Sequence, residues 1–199
     1  MYSTILDLFT NNFMGYFMLS GTKTYIRIIE ETDLDRTLKW INDPDLMILM
    51  GIRGPKTAMM QKKWFEELNR DSTKIVFAIC LKDSNEHIGN VSLYSIDFIH
   101  RNAGLSIFIF DKTNHHHGYG TDALKLLLEY AFDYLNLHRI YCKTSSNYHE
   151  AIKIYQKLGF YEEGILREHE YNNGKYVDKI IMGLIANDFR KIIKPERLV

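Results

Sequence analysis

The chain has 199 residues, 46% of them hydrophobic and 25% charged. That balance describes one globular domain able to bury a core without covalent staples. Lys plus Arg and Asp plus Glu both number 25, so the basic footprint of a nucleic-acid binder is absent.

Residues 1–17, MYSTILDLFTNNFMGYF, are apolar and aromatic but carry Asp7 and Asn11-Asn12, with no basic flank and no small-residue cleavage site. They fit neither a secretory signal nor a membrane span. The expectation is an extension ahead of a single domain over 18–199, either a docking helix or a stretch upstream of a start at Met18. No later segment is a transmembrane candidate. Cys80 and Cys142 sit in apolar runs without CxxC or Cys/His spacing. They read as reduced core residues of a cytoplasmic protein.

In chain order, alternation predicts a first strand over 24–29. Thr32 or Asp33 is placed to cap a helix carrying Leu34, Leu38 and Trp40-Ile41, which ends at Asn42-Asp43-Pro44. A short helix over 44–50 follows, then a glycine-rich loop and a second long helix over 56–70. Trp64 and Phe65 are expected to pack that helix. Strands are predicted over 74–81, 87–96 and 103–110, with Gly89 at a bulge. The last pair is joined by a polar turn over 97–102. A helix over 121–135, a strand over 138–144 and a short helix over 149–158 come next, the last closed by Gly159. Two strands around Asn172-Asn173-Gly174 form a hairpin, for which Asn-Gly is a strong turn signal. A basic tail ends the chain. The mixture is α+β, one domain around a largely antiparallel sheet.

The stretch Phe108–Ala123, FIFDKTNHHHGYGTDA, runs from a strand through a glycine turn into a helix. Such a turn aims backbone N–H groups at one point, where the helix N-terminus adds about half a unit of positive charge. An anion, most often a phosphate, suits that place. His115-His116-His117 is also a candidate metal cluster. Consecutive residues rarely converge on one ion, however, and no second ligand group accompanies them, so no metal is expected.

The element order, with three motifs, resembles the GCN5-related N-acetyltransferases (GNAT), in the branch of the ribosomal-protein N-terminal and spermidine acetyltransferases. The motifs are His115–Gly120, similar to the family's Gln/Arg-x-x-Gly-x-Gly/Ala loop; Ala151–Phe160, similar to A-I-x-x-Y-x-K-x-G-F; and Gly164–Arg167 before a hairpin. The resemblance covers roughly 18–189. It implies a GNAT fold, with about seven strands and about four helices. It also implies acetyl-CoA as co-substrate and transfer of acetyl to a primary amine in a ternary complex. That amine could belong to a protein N-terminus, a polyamine, an amino sugar or another small molecule. Further implications are no metal, no membrane span and a homodimer through the C-terminal hairpin.

By the same resemblance, His115, His116, His117, Gly118, Tyr119, Gly120 and Thr121 would hold the pyrophosphate. Phe108, Ile109 and Phe110 would pair with the pantetheine arm, joined by Asn147 and Lys157. Tyr155 would be the general acid toward the departing thiolate. Gly104 stands where many relatives have an acidic residue. The general base is therefore open among Asp97, His100, Glu168 and a water chain. The acidic run Glu162, Glu163, Glu168 and Glu170 is either an exposed strand face or an attractor for polyamines. A second reading, a CoA-binding regulatory module without catalysis, rests on Gly104 and the altered loop, and Tyr155 speaks against it.

Overall fold

The computed structural model describes residues 18–193, apart from Asn173 and the side chain of Leu49. The expected extension over 1–17 and the basic tail past 193 lie outside the described residues. The elements are β1 Met18–Ser20, β2 Thr24–Ile28, a one-turn 3-10 helix Glu31–Asp33, α1 Leu34–Ile41, α2 Pro44–Met50, α3 Ala58–Leu68, β3 Ile75–Leu81, β4 His87–Asp97, β5 Asn102–Ile109, α4 Tyr119–Glu129, β6 Arg139–Ser145, α5 His149–Lys157, β7 Tyr161–Asn172, β8 Lys175–Ile185 and α6 Ala186–Ile192. They form one sheet in the order β1-β2-β3-β4-β5-β6-β8-β7.

The α+β architecture with a mostly antiparallel sheet is the expected one. It holds eight strands and six helices among the described residues where about seven and about four were expected. The additions are local. β1 is too short to show alternation, and α6 lies inside what reads as a basic tail, yet it buries Phe189 against Phe132 at 5.3 Å.

Helix starts follow local chemistry. Asp43 accepts from the Leu46 amide with Pro44 at the first helical position, and Thr57 accepts from Met60. Both leave fewer orphan donors at the N-terminus. Gly51 closes α2 at φ 66°, a left-handed position suited to glycine. The helix expected over 121–135 starts two residues earlier and finishes in one π turn, Tyr130–Tyr134.

Period-two alternation divides the sheet into two faces. One carries Ile26, Phe77, Val91, Leu93, Leu105, Ile140 and Cys142 into the main core, which α4 joins through Leu124, Leu127 and Leu128. Each such buried side chain contributes about 1.5–3 kcal/mol. The other face carries Val76, Asn90, Ser92, Ser106 and Phe108 beneath α1 and α3. Those helices are tied by Gln61 Nε2, which donates to Thr37 Oγ1 at 3.0 Å. A buried polar knot anchors α1: Arg27 donates twice to Asp33, at 2.7 Å each, and His87 Nδ1 lies 3.3 Å from the same carboxylate.

One irregularity organises the rest. β5 and β6 are the sheet's parallel pair, and they are in register for three residues only: Asn102, Ala103 and Gly104 against Arg139, Ile140 and Tyr141. Beyond Gly104, β5 continues to Ile109 and β6 to Ser145 without pairing to each other.

Candidate active site

The parted strands leave a slot with backbone edges on both sides. At its outer end β5 runs into the glycine loop. His115 Nε2 lies 3.0 Å from the Ile109 carbonyl, which ties the loop back to the strand it leaves. His116 is left-handed (φ 64°) with its ring 3.7 Å from Glu150, and His117 stacks on Tyr119 at 5.5 Å. The three imidazoles therefore face three different partners. Among the described residues there is no group of three or more His, Cys, Asp or Glu side chains suited to a metal.

Gly118 caps α4 at φ 82°, and the first intrahelical bond runs from the Asp122 amide to its carbonyl at 3.0 Å. The N–H groups before Asp122 thus point out of the helix end, as at any N-terminus. Gly120 sits on β5: a Cβ there would lie 3.7 Å from Ile107 Cδ1 and 3.8 Å from Ile109 Cγ1. Tyr119 and Thr121 are half-buried beside it.

A carboxylate at a helix start would compete with a bound phosphate, but Asp122 is already engaged. It accepts from the Thr22, Lys23 and Thr24 amides and from the Thr22 and Thr24 hydroxyls, at 2.8–3.2 Å. Burial raises its pKa, and these bonds outweigh burial, so the carboxyl sits below its usual range. The same clamp brings in a residue that the sequence does not flag. Lys23 Nζ donates to the His117 carbonyl at 2.7 Å and would be 3.5 Å from a Cβ at Gly118. Lys23 lies 94 residues from His117, and only the β1–β2 turn places its ammonium on the loop.

At the inner end, where pairing stops, Gly104 has a physical explanation. It pairs with Tyr94 on β4, and a Cβ at 104 would lie 2.2 Å from Tyr94 Cε2. The Tyr94 ring occupies the space of the missing side chain. It meets Tyr141, Gly104's partner on β6, edge-on at 6.0 Å. Tyr155 on α5 is 6% exposed, packs on Phe160 at 5.4 Å, and is close enough to Cys142 and Tyr94 to feel both electrostatically. Burial pushes its phenol far above the usual tyrosine range and Tyr94 up to about 12, so both are neutral proton donors at physiological pH. Burial also pushes the Cys142 thiol up to about 12, and Cys80 is likewise buried and raised.

The remaining predicted residues divide. The rings of Phe108 and Phe110 turn into a pocket of about 510 Å³ under α1 and α3, where Phe110 stacks on Trp40 at 4.2 Å. Ile109 faces the opposite side, toward Gly89 and Gly120. Trp64 lines the same pocket, so it does more than pack its helix. Asn147 is exposed in the turn before α5, and Lys157 is exposed on that helix's last turn; neither bonds to the glycine loop. Ser145, the last residue of β6, is 3% exposed, and its hydroxyl has no partner among the described residues.

Among the base candidates, Asp97 spends its carboxylate on the Ile99 and His100 amides of its own turn. His100 is exposed, and Glu168 sits at a left-handed irregularity of the exposed β7. In the acidic run, Glu163 pairs with Arg139 and Glu170 with Lys179, so half of that charge is neutralised.

A mostly antiparallel sheet whose central parallel strands part beside a helix N-terminus defines a class, the acyltransferases that seat a phosphate-bearing, peptide-like cofactor in such a gap. Comparison with known proteins specifies the class. Residues 23–161 match the acetyltransferase (GNAT) domain family. The spermidine N(1)-acetyltransferase of Vibrio cholerae is 30% identical over 166 residues, which cover 77% of this chain and 94% of that protein. A crystal structure of spermidine N-acetyltransferase from Vibrio cholerae with CoA and spermine aligns at TM-score 0.78 and 26% identity, over 83% of this chain and 97% of that one. A dodecameric structure of spermidine N-acetyltransferase from Vibrio cholerae shares the fold at TM-score 0.72 and 24% identity, over 87% and 98% of the two chains. The chain belongs to the GNAT acetyltransferases. It is an N-acetyltransferase, and acetyl-CoA is its acetyl donor. No helix among the described residues is long and apolar enough to cross a membrane.

Proposed function

We propose that the protein passes the acetyl group of acetyl-CoA directly to a primary amine that enters from the α1–α3 face. The observation that carries this reading is the fork at Gly104, with the buried Tyr155 phenol beside it. In this reading the pyrophosphate takes the His115–Thr121 loop and the helix N-terminus, helped by the Lys23 ammonium. The pantetheine arm fills the missing strand pairing along Phe108, Ile109 and Phe110, opposite the stretch of β6, ending at Ser145, that does not pair with β5. Asn147 and Lys157 contribute at the periphery.

The chemistry needs two protons placed. The acceptor must lose one to become a neutral amine, and its nitrogen then attacks the thioester carbonyl carbon. As the C–S bond breaks, the CoA thiolate takes a proton from Tyr155, which stays neutral until then because it is buried, and the acylated nitrogen sheds its second proton through water, which returns Tyr155 to the phenol. The acceptor's proton leaves through water, since Gly104 offers no carboxylate and the turn carboxylate of Asp97 is already bonded. Direct transfer is favoured over an acetyl-cysteine intermediate. Both thiols are fully buried and held in the protonated form, which is a poor nucleophile. Self-association through the β7–β8 hairpin accompanies this reading, supported by exposed Tyr161, Ile165, Tyr171 and Tyr176 on those strands.

The test measures thiol release from acetyl-CoA against a panel of primary amines, with calorimetric titration of acetyl-CoA and light scattering on the same preparation. Acetyl-CoA binding, amine-dependent thiol release and a mass at least twice 23.5 kDa are expected. A titration showing no binding ends the proposal. Binding without turnover of any amine favours the regulatory module.

A further inference from the structure

Beneath α1 and α3 lies the pocket of about 510 Å³, on the same face of the sheet as Tyr94 and Gly104 at the fork. Its volume lies in the range of small-molecule sites. The sheet floor is polar and uncharged: Asn90, Ser92 and Ser106, the two serines bonded to each other at 2.7 Å. Ser92 and Ser106 stand two residues from Tyr94 and Gly104 on the same strands and therefore on the same face. The fork is about 7 Å further along the sheet. Trp64, Phe108 and Phe110 supply an apolar wall.

The charges at the rim are mostly positive. Lys56, Lys63 and Lys74 line the pocket with a single acid, Glu67. Lys63 and Glu67 pair with each other at 3.8 Å, one helical turn apart, and cancel. Lys74 stands 5.8 Å over the Trp64 ring, and Lys56 is fixed through its backbone, which both donates to and accepts from the Asn42 amide at 2.6 and 2.8 Å. Neither has a carboxylate within ion-pair distance among the described residues. Asp71, the acid that feels Lys74, is committed to Thr73. A polycation would meet two half-buried lysines here and no free carboxylate.

We propose that the acceptor is a small primary amine bearing an apolar body and an anionic group, a carboxylate or a phosphate, which Lys56 and Lys74 receive while the amine points to the fork. This rests on the acetyltransferase reading above and departs from the polyamine named for the relatives. An α-amino acid with an apolar side chain has all three parts.

The experiment compares kcat/KM for phenylalanine, 2-aminoethyl phosphate, phenethylamine and spermidine, in the wild type and in Lys56→Glu and Lys74→Glu. Binding of 3-phenylpropionate to the CoA-loaded protein is measured alongside by calorimetry. The expected result is at least about tenfold preference for an anionic amine over both phenethylamine and spermidine, with the charge reversals lowering that preference about tenfold. The carboxylate and phosphate arms decide which anion is read. Spermidine turned over best, or charge reversals that leave the ratios unchanged, overturns the proposal while leaving the acetyltransferase intact. If no amine is acetylated, the acetyltransferase reading fails, and 3-phenylpropionate binding that Lys56→Glu abolishes still supports an anion-binding pocket. No binding of that probe overturns it.

Discussion

Tyr155 shows how one side chain acquires its chemistry from burial. On the helix surface it would be an ordinary phenol. At 6% exposure, against Phe160 and within electrostatic reach of Cys142 and Tyr94, it is held neutral. Tyr155→Phe removes the hydroxyl and keeps the ring that packs on Phe160. It is expected to lower kcat by about ten- to a hundredfold, the lower part of the range for a general acid, while acetyl-CoA affinity holds in calorimetry. Unchanged kcat would remove the phenol from proton transfer. The sequence singles out Tyr155 because the Ala151–Phe160 motif is contiguous. It does not single out Lys23, since its place on the loop depends on Asp122 gathering the β1–β2 turn from 100 residues away.

At the scale of elements, β4 and β5 exchange volume across the sheet. Gly104 reads in the sequence as a lost catalytic acid, whereas in the fold it is the seat of the Tyr94 ring. Gly104→Ala brings a methyl to 2.2 Å from Tyr94 Cε2, so the ring must swing out of its place. Overpacking of this kind costs about 1–3 kcal/mol. Tyr94→Leu should recover part of that in the double variant, read as non-additivity of denaturant midpoints. Simple additivity would mean that the ring moves aside freely. Periodicity disclosed most strands and the main helices, and Asn172-Asn173-Gly174 announced the hairpin. It could not disclose β1, with three residues, or α6, whose apolar contacts hide in a basic stretch. Nor could it show that Phe108 and Phe110 face the pocket with Trp64, because that depends on which helices cover which face.

For the whole molecule, the titrating groups set a pH window of stability. Burial alone would raise Asp33, but Arg27, His87 and the Glu30 amide outweigh it and hold the carboxyl well below its usual range; Asp122 is lowered by its own clamp. Both therefore contribute fully above the unfolded carboxylate value of about 4 and lose their contribution as pH falls below it. Tyr94 and Tyr155 are raised by burial, so their contribution is complete below about 10 and declines as pH rises past that value. Thermal melts should show a plateau between these limits. In Asp33→Asn the acid-side fall should be shallower, and an unaltered acid limb would assign it to other carboxylates.

The three-residue pairing of β5 with β6 has a consequence for cohesion. The sheet is a clasp with few rungs closed, joining a five-strand leaf to a three-strand leaf, and the rungs it lacks are those a peptide-like arm would add. Occupancy and integrity of the fold then become one equilibrium. At a donor concentration a hundred times Kd, the folded state gains about 2.7 kcal/mol. The supply of acetyl-CoA would then govern how long the protein lasts as well as how fast it works.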